Sequence, residues 1–324
     1  MSILVTGGAG YIGSHMVDLL RRTRNEVVII DDLRTGHRAA LPEGVPWLNA
    51  DVADRARVVP FLKRYGVDAI FHFAALIQVA ESMIEPRRYY VGNLAAGVAL
   101  LESALDAGVT TFVLSSTAAV YGVPSAPLLT EDHPVRPINV YGETKLALER
   151  VLASYAAAYG LRYAALRYFN AAGADPEAGL GERHEPESHL VPIVLEAALG
   201  RRRHVTIFGD EYPTPDGTCV RDYIHVKDLC DAHVAARAYL DAGGESGAFN
   251  LGTGRGYSVR EVIEAARRVS GRDVSVIVGP RRPGDPPTLV ASPTKAETAF
   301  GWRAERSALD RIVTDAWRWH SRVP

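Results

Sequence analysis

Short apolar runs alternate with amphipathic ones through the first half of the chain. They read ILVTG at 3–7, HMVDLLRRT at 15–23, EVVIIDD at 26–32, VPWLNAD at 45–51, ARVVPFLKRYG at 56–66, DAIFHFAA at 68–75, VALLESALDAG at 98–108 and TTFVLSS at 110–116. Runs apolar on both faces, separated by helical segments of about ten residues, predict a parallel sheet covered by helices on both sides. The expected fold is therefore α/β, a doubly wound parallel sheet. After LRYAALRYFN the rhythm loosens into AAGADPEAGLGERHEPESH, whose Gly, Pro and charge predict a long surface segment between domains. We expect a first domain over 1–168 and a smaller C-terminal α/β substrate domain over 169–324, with segments near 220–255 returning to the first.

Composition narrows the function classes without choosing one. At 324 residues and 47% hydrophobic, the chain exceeds what one core usually serves. Lys plus Arg number 36 against 38 Asp plus Glu, so no global field holds a polyanion, and neither nucleic acid nor a membrane is expected as a partner. GRRRH at 200–204 reads as a solvated helix end. No run of about 18 apolar residues and no leader pattern appears, from which a cytoplasmic location is expected. Cys219 and Cys230 have neither a C-x-x-C spacing nor metal partners, so reduced buried thiols and no metal are expected.

Gly7, Gly10 and Gly13 fall between the first strand and the first helix. Asp31 follows 18 residues beyond Gly13, at the end of the second predicted strand. In that context Gly7 allows the turn, Gly10 admits a pyrophosphate, Gly13 lets helix and strand pack closely, and the helix N-terminus offers N–H donors. Asp31 suits ribose hydroxyls and repels a 2′-phosphate, which favours NAD, while Arg34 and Arg38 weigh the other way. Oxidising an alcohol with such a cofactor requires a base for the hydroxyl proton. VYGETKLALERVLASYAAAYG places Tyr141 and Lys145 one helical turn apart. A phenol near its ordinary value of about 10 is a poor base, which a neighbouring ammonium would improve. A second pair, Tyr223 and Lys227, lies in a strand-like stretch that gives no reason to converge. Ser115, Ser116 and Thr117 fall at a strand's carboxyl end, where open α/β sheets bind ligands.

The order of glycine loop, Ser-Ser-Thr and Tyr-x-x-x-Lys resembles the extended short-chain dehydrogenase/reductase family, with its Rossmann dinucleotide fold. The resemblance spans nearly the whole chain through TGGAGYIGSH, FHFAA, SSTAAVYG, NVYGETK, LRYFNAAGA, IFGDEYPTPDGTCVRDYIHVKDL, FNLGTG and RRPGDPP. It implies cofactor contacts at Tyr11, Ile12, Asp31, Asp32, Leu33, Thr35, Gly36, Asp51, Val52, Phe73, Ala74, Ala75, Ile77, Asn93 and Phe169, besides the glycines and the catalytic groups. Catalysis is implied for Thr117, Tyr141 and Lys145. Sugar-nucleotide contacts are implied for Thr117, Tyr141, Tyr168, Asn170, His189, Leu190, Thr206, Ile207, Phe208, Arg221, Arg282, Asp285 and Leu289.

Guanidinium forks at Arg221 and Arg282 suit a diphosphate. Asp285 would accept from nucleotide ribose hydroxyls. The activity so implied is interconversion of UDP-glucose and UDP-galactose by transient oxidation at the hexose 4-position with tightly bound NAD, in a homodimer. Ile77 stands where some members carry a phosphate-binding lysine. Leu289 stands where some carry a bulky tyrosine, which opens N-acetylated UDP-hexosamines as further substrates. Thr117 is followed by Ala118 and Ala119, which lack the acid and base that a nucleotide-sugar 4,6-dehydratase needs. A non-catalytic NAD-binding sensor would have no use for the Tyr-Lys-Thr set.

Overall fold

The computed structural model describes residues 2–124, 126, 128–282 and 285–322; Pro283 and Gly284 of the RRPGDPP stretch lie outside them. The predicted parallel sheet is present. Seven strands run in the order Gly247–Leu251, Arg162–Tyr168, Thr111–Thr117, Val67–His72, Ser2–Thr6, Glu26–Ile30 and Trp47–Leu48, and every neighbouring pair is parallel. The chain leaves Ser2–Thr6 toward one edge and returns on the other side at Val67–His72. The order thus reverses between these two strands, opening a crevice at their carboxyl ends.

Both sheet faces are covered, as the continuous apolar strands require. On one face Met16, Val17 and Leu20 of helix Tyr11–Arg22 meet Leu229, Ala232 and Ala236 of helix Val226–Asp241 over Val5, Ile29 and Val113. The opposite face packs Leu4, Ile70 and Phe112 against Val58 and Leu62, Leu100 and Leu101, and Leu148 and Leu152 from three further helices. Strand register sets Thr117 beside Tyr168 at the carboxyl edge.

The remaining elements form a smaller α/β lobe. Gly256–Ser258, Val220–His225, Thr288–Ala291 and Leu128–Leu129 line up in one sheet, and Asn170–Ala172 pairs with Val220–His225. Helices Leu190–Ala198, Val259–Ser270 and Leu309–His320 close a core around Val194, Leu195, Val262, Ile312 and Val313. The lobes exchange segments in both directions: 128–129 joins the smaller sheet, whereas Gly247–Leu251 completes the larger one.

The charged stretch 171–189 is no simple surface connector. Asp175 and Glu182 are buried within it. The Lys227 ammonium meets Asp175 at 2.6 Å, and Tyr11 donates its hydroxyl to the Gly173 carbonyl at 2.7 Å. These ties hold the stretch against the first helix and the edge of the crevice.

Candidate active site

A cavity of about 2410 Å³ runs along the crevice between the lobes, well beyond the roughly 300–1,000 Å³ of a single small-ligand pocket. Of the candidate site residues from the sequence, all but Asn93 and Ser116 line it. Asn93 stands behind the wall, where its side chain accepts from the Leu76 N–H at 2.8 Å and donates to the Leu76 carbonyl at 3.0 Å. Asn93 thus holds the wall segment at Leu76 in place.

The glycine turn forms one end. Gly7 adopts φ +70°, and a Cβ there would fall 2.7 Å from the Ala74 nitrogen. At Gly13 an added Cβ would fall 2.1 Å from the Gly7 carbonyl oxygen, so the helix approaches its preceding strand only with glycine here. Gly10 begins helix Tyr11–Arg22 without a side-chain cap, leaving first-turn N–H groups for an anion.

Asp31 is buried and accepts from the Ala9 and Leu33 N–H groups, each at 2.8 Å. Burial raises its pKa, against the pull of those two N–H groups. Both arginines that weighed toward a 2′-phosphate are engaged elsewhere. Arg34 meets Asp32 at 2.8 Å and Asp51 at 3.1 Å, while Arg38 lies 4.9 Å over the Trp47 ring. A dinucleotide with unmodified ribose fits this end: uncapped helix, close backbone, and a buried carboxylate beside the turn.

Midway along the cavity, Tyr141 and Lys145 project from helix Val140–Tyr159. Asn139 caps that helix by accepting from the Gly142 N–H at 2.8 Å. Gly142 lies so close to the Ala118–Tyr121 turn that a Cβ would sit 2.6 Å from the Ala119 carbonyl oxygen. This approach brings the start of the helix against the end of the Thr111–Thr117 strand, so that the Thr117 side chain favours the ionised form of the Tyr141 hydroxyl. Lys145 donates to the Ser115 carbonyl at 2.8 Å, and the Ser115 hydroxyl is hydrogen-bonded to the Tyr168 hydroxyl.

Burial pushes Tyr141 up to about 12, against the opposing pull of the Thr117 side chain. Burial also lowers Lys145 to about 8, with Glu149 opposing. The sequence argument that the lysine charge lowers the phenol is thus outweighed in the cofactor-free site, where desolvation dominates and Lys145 bonds a carbonyl. The alternative pair does not converge: Tyr223 is buried on its strand and Lys227 holds Asp175.

The other end is made by the smaller lobe. Arg221 is hydrogen-bonded to Asp285 and also donates to the Val220 carbonyl at 2.7 Å, and the Arg282 guanidinium sits 3.9 Å over the Phe208 ring. Asn170 donates to the Asp222 carbonyl at 2.9 Å. Leu289 lies beside Arg221 in the sheet register and packs against the small cluster of Val120, Tyr121, Leu129 and Leu146. His189 is hydrogen-bonded to Glu182, whose carboxylate outweighs burial and raises the imidazole to about 9.

Sequence reading passed over Glu149, which looks like one charge in the helical run ALERV. It lies one turn beyond Lys145, 6% exposed. Arg167 donates to it through Nε at 3.0 Å and through a terminal nitrogen at 2.6 Å, and Ser116 donates as well. Arg167 also reaches the Tyr121 hydroxyl at 3.0 Å, which donates to Asn250 at 2.6 Å. This buried pair underlies the strand end that bears Ser115 and Thr117. The only sequence signal was an arginine inside a strand otherwise apolar enough to be buried.

The sheet order, the uncapped glycine turn beside a buried aspartate, and the Tyr-Lys-Thr group at the carboxyl edge define a Rossmann dinucleotide-binding protein with a second lobe over its crevice. The chain belongs to the NAD dependent epimerase/dehydratase family, whose pattern matches residues 3–252. It is 48% identical over 324 residues to UDP-glucose 4-epimerase of Halalkalibacterium halodurans, covering 100% of this chain and 97% of that protein. The crystal structure of UDP-glucose 4-epimerase from Brucella ovis in complex with NAD superposes with a TM-score of 0.95 at 46% identity, covering 98% of this chain and 97% of the other. The epimerase from Bifidobacterium longum in complex with NAD+ and UDP gives 0.93 at 36% identity, covering 100% and 99%. Among the described residues no helix is long and apolar enough to cross a membrane.

Proposed function

We propose that this chain interconverts UDP-glucose and UDP-galactose by transient oxidation at the hexose 4-position, with NAD kept in place throughout. The observation that carries this reading is the single cavity in which Asp31 and the glycine turn stand at one end, Arg221 and Arg282 at the other, and Tyr141 with Thr117 between them. Gly7, Gly10, Gly13 and Asp31 would hold the dinucleotide, which supplies reversible hydride acceptance when bound. Tyr141 takes the 4-hydroxyl proton and later returns it, while Thr117 orients that hydroxyl beside the phenol. Lys145 supplies the positive charge that favours the phenolate, and a nicotinamide cation adds to it.

Arg221 and Arg282 bind the diphosphate; the first exchanges part of its pairing with Asp285 for a phosphate. Charge is thereby concentrated on the nucleotide, and the hexose is left in a pocket with Leu289 and Phe208 in its wall, loose enough for a keto sugar to present either face. Leu289 supports acceptance of N-acetylated UDP-hexosamines as well. The homodimer and cytoplasmic location carried by the family resemblance belong to this reading, and sedimentation of the purified protein tests the former. Ala118 and Ala119 beside Thr117 tell against a dehydratase, since neither moves a proton.

The experiment is Tyr141→Phe: epimerisation of UDP-galactose is lost by at least about 10²-fold, while titration still shows UDP-sugar binding. Retained turnover refutes the base assignment. Net release of NADH during turnover would instead mark a dehydrogenase.

A further inference from the structure

We propose that Glu182, His184, Glu187 and His189 form a binding site for a divalent transition-metal ion of the zinc class. This goes beyond the epimerase reading and does not rest on it, and it departs from the expectation that the chain holds no metal. One donor atom from each of the four side chains lies within 4.8 Å of the others. Two imidazoles with two carboxylates are a zinc-type donor set; magnesium and calcium call for oxygen alone.

Three further observations point to a ligand. The Glu182 and Glu187 carboxylates are only 3% and 5% exposed, and among the described residues neither pairs with a lysine or an arginine, since nearby Arg183 turns to Glu185. Glu182 therefore faces imidazoles, while Glu187 faces His184 and accepts from the Ser188 and His189 N–H groups at 2.8 and 2.9 Å. The His184 Nδ1 atom is buried without a hydrogen-bond partner, yet it faces both carboxylates. Its separations from them, 3.4 Å to Glu182 and 3.6 Å to Glu187, suit two ligands of one ion. In a tetrahedron with bonds of roughly 2.0–2.2 Å the ligand atoms stand about 3.3–3.6 Å apart.

His189 and Glu182 are hydrogen-bonded to each other, a bond that the ion would replace. Imidazoles and carboxylates bind a metal in their deprotonated forms, so metal uptake is coupled to proton release. A bound ion would fix the 182–189 segment across the cavity wall just ahead of helix Leu190–Ala198.

The test uses the NAD-loaded protein after dialysis against a chelator and before any sugar nucleotide is added. Calorimetric titration with Zn2+ should show about one equivalent bound with proton release, and Co2+ should give the intense visible absorption of a four-coordinate ion. His184→Gln and Glu187→Gln should each weaken uptake by more than the about 10–100-fold that loss of an outer-shell partner causes. His204→Gln, a control elsewhere on the same cavity, should leave uptake intact. Far-ultraviolet circular dichroism checks that each variant is folded; if either glutamine variant is not, the wild-type cobalt spectrum decides. No uptake, a pale six-coordinate cobalt spectrum, uptake that survives both substitutions, or equal loss in His204→Gln overturns the proposal.

Discussion

Replacing Lys145 by methionine separates what this residue does for catalysis from what it does to stability. Its ammonium is buried, and its value falls from 10.5 to about 8, a displacement worth roughly 3 kcal/mol against the folded state at neutral pH. The hydrogen bond to the Ser115 carbonyl at 2.8 Å offsets about 1.5–3 kcal/mol, as charge-assisted bonds do. Methionine keeps the unbranched stem and nearly fills the same space. The cofactor-free variant should therefore be as stable as the parent or more so by about 1 kcal/mol, with turnover reduced by about 10²–10⁴-fold.

The pH dependence gives the sharper test. A lysine with a depressed folded-state value binds fewer protons than its unfolded counterpart between about pH 8 and 10.5, so the parent gains stability as pH rises through that window. The methionine variant lacks this term. Denaturant titrations at about pH 7 and about pH 10 should show its advantage shrinking by roughly 2–3 kcal/mol and changing sign. The reasoning fails if the stability difference is the same at both pH values.

Two other substitutions probe the ends of the cavity. Gly13→Ala sets a Cβ 2.1 Å from the Gly7 carbonyl oxygen, so helix and turn must move apart; NAD affinity should drop at least about tenfold and stability by roughly 1–3 kcal/mol, read by cofactor titration and thermal unfolding. Leu289→Tyr narrows the wall beside Arg221. Turnover of UDP-N-acetylglucosamine should fall about tenfold or more relative to UDP-galactose, as chromatography of the products reports, because added volume in a packed pocket discriminates by about 1–3 kcal/mol.

Legibility in the sequence followed the range of each interaction. The sheet was readable because strands buried on both faces leave continuous apolar runs, as SILVT and FVLSS do. The glycine turn with Asp31, and Tyr141 with Lys145, were readable because strand–turn–helix geometry or one helical turn sets their relation within a short stretch. What stayed hidden depends on partners far along the chain. Glu149 looks solvated until Arg167 and Ser116 fold against it. The partner of Asn93 is likewise remote in sequence: Leu76 takes both ends of its amide.

The same reasoning explains why the 171–189 stretch read as a surface loop. Its charges are individually those of solvated chain, and Lys227 from a later helix, the imidazoles of its own turn and nearby backbone N–H groups make burial tolerable. Charge therefore marks a different thing in each half of the cavity. At Glu149 it is matched by a fixed arginine and holds a strand end still. At Glu182 and Glu187 it is met by imidazoles and, at Glu187, by two backbone N–H groups, and an imidazole can also take an ion. The first arrangement suits a scaffold under the reacting groups, and the second suits a wall whose order depends on what occupies it.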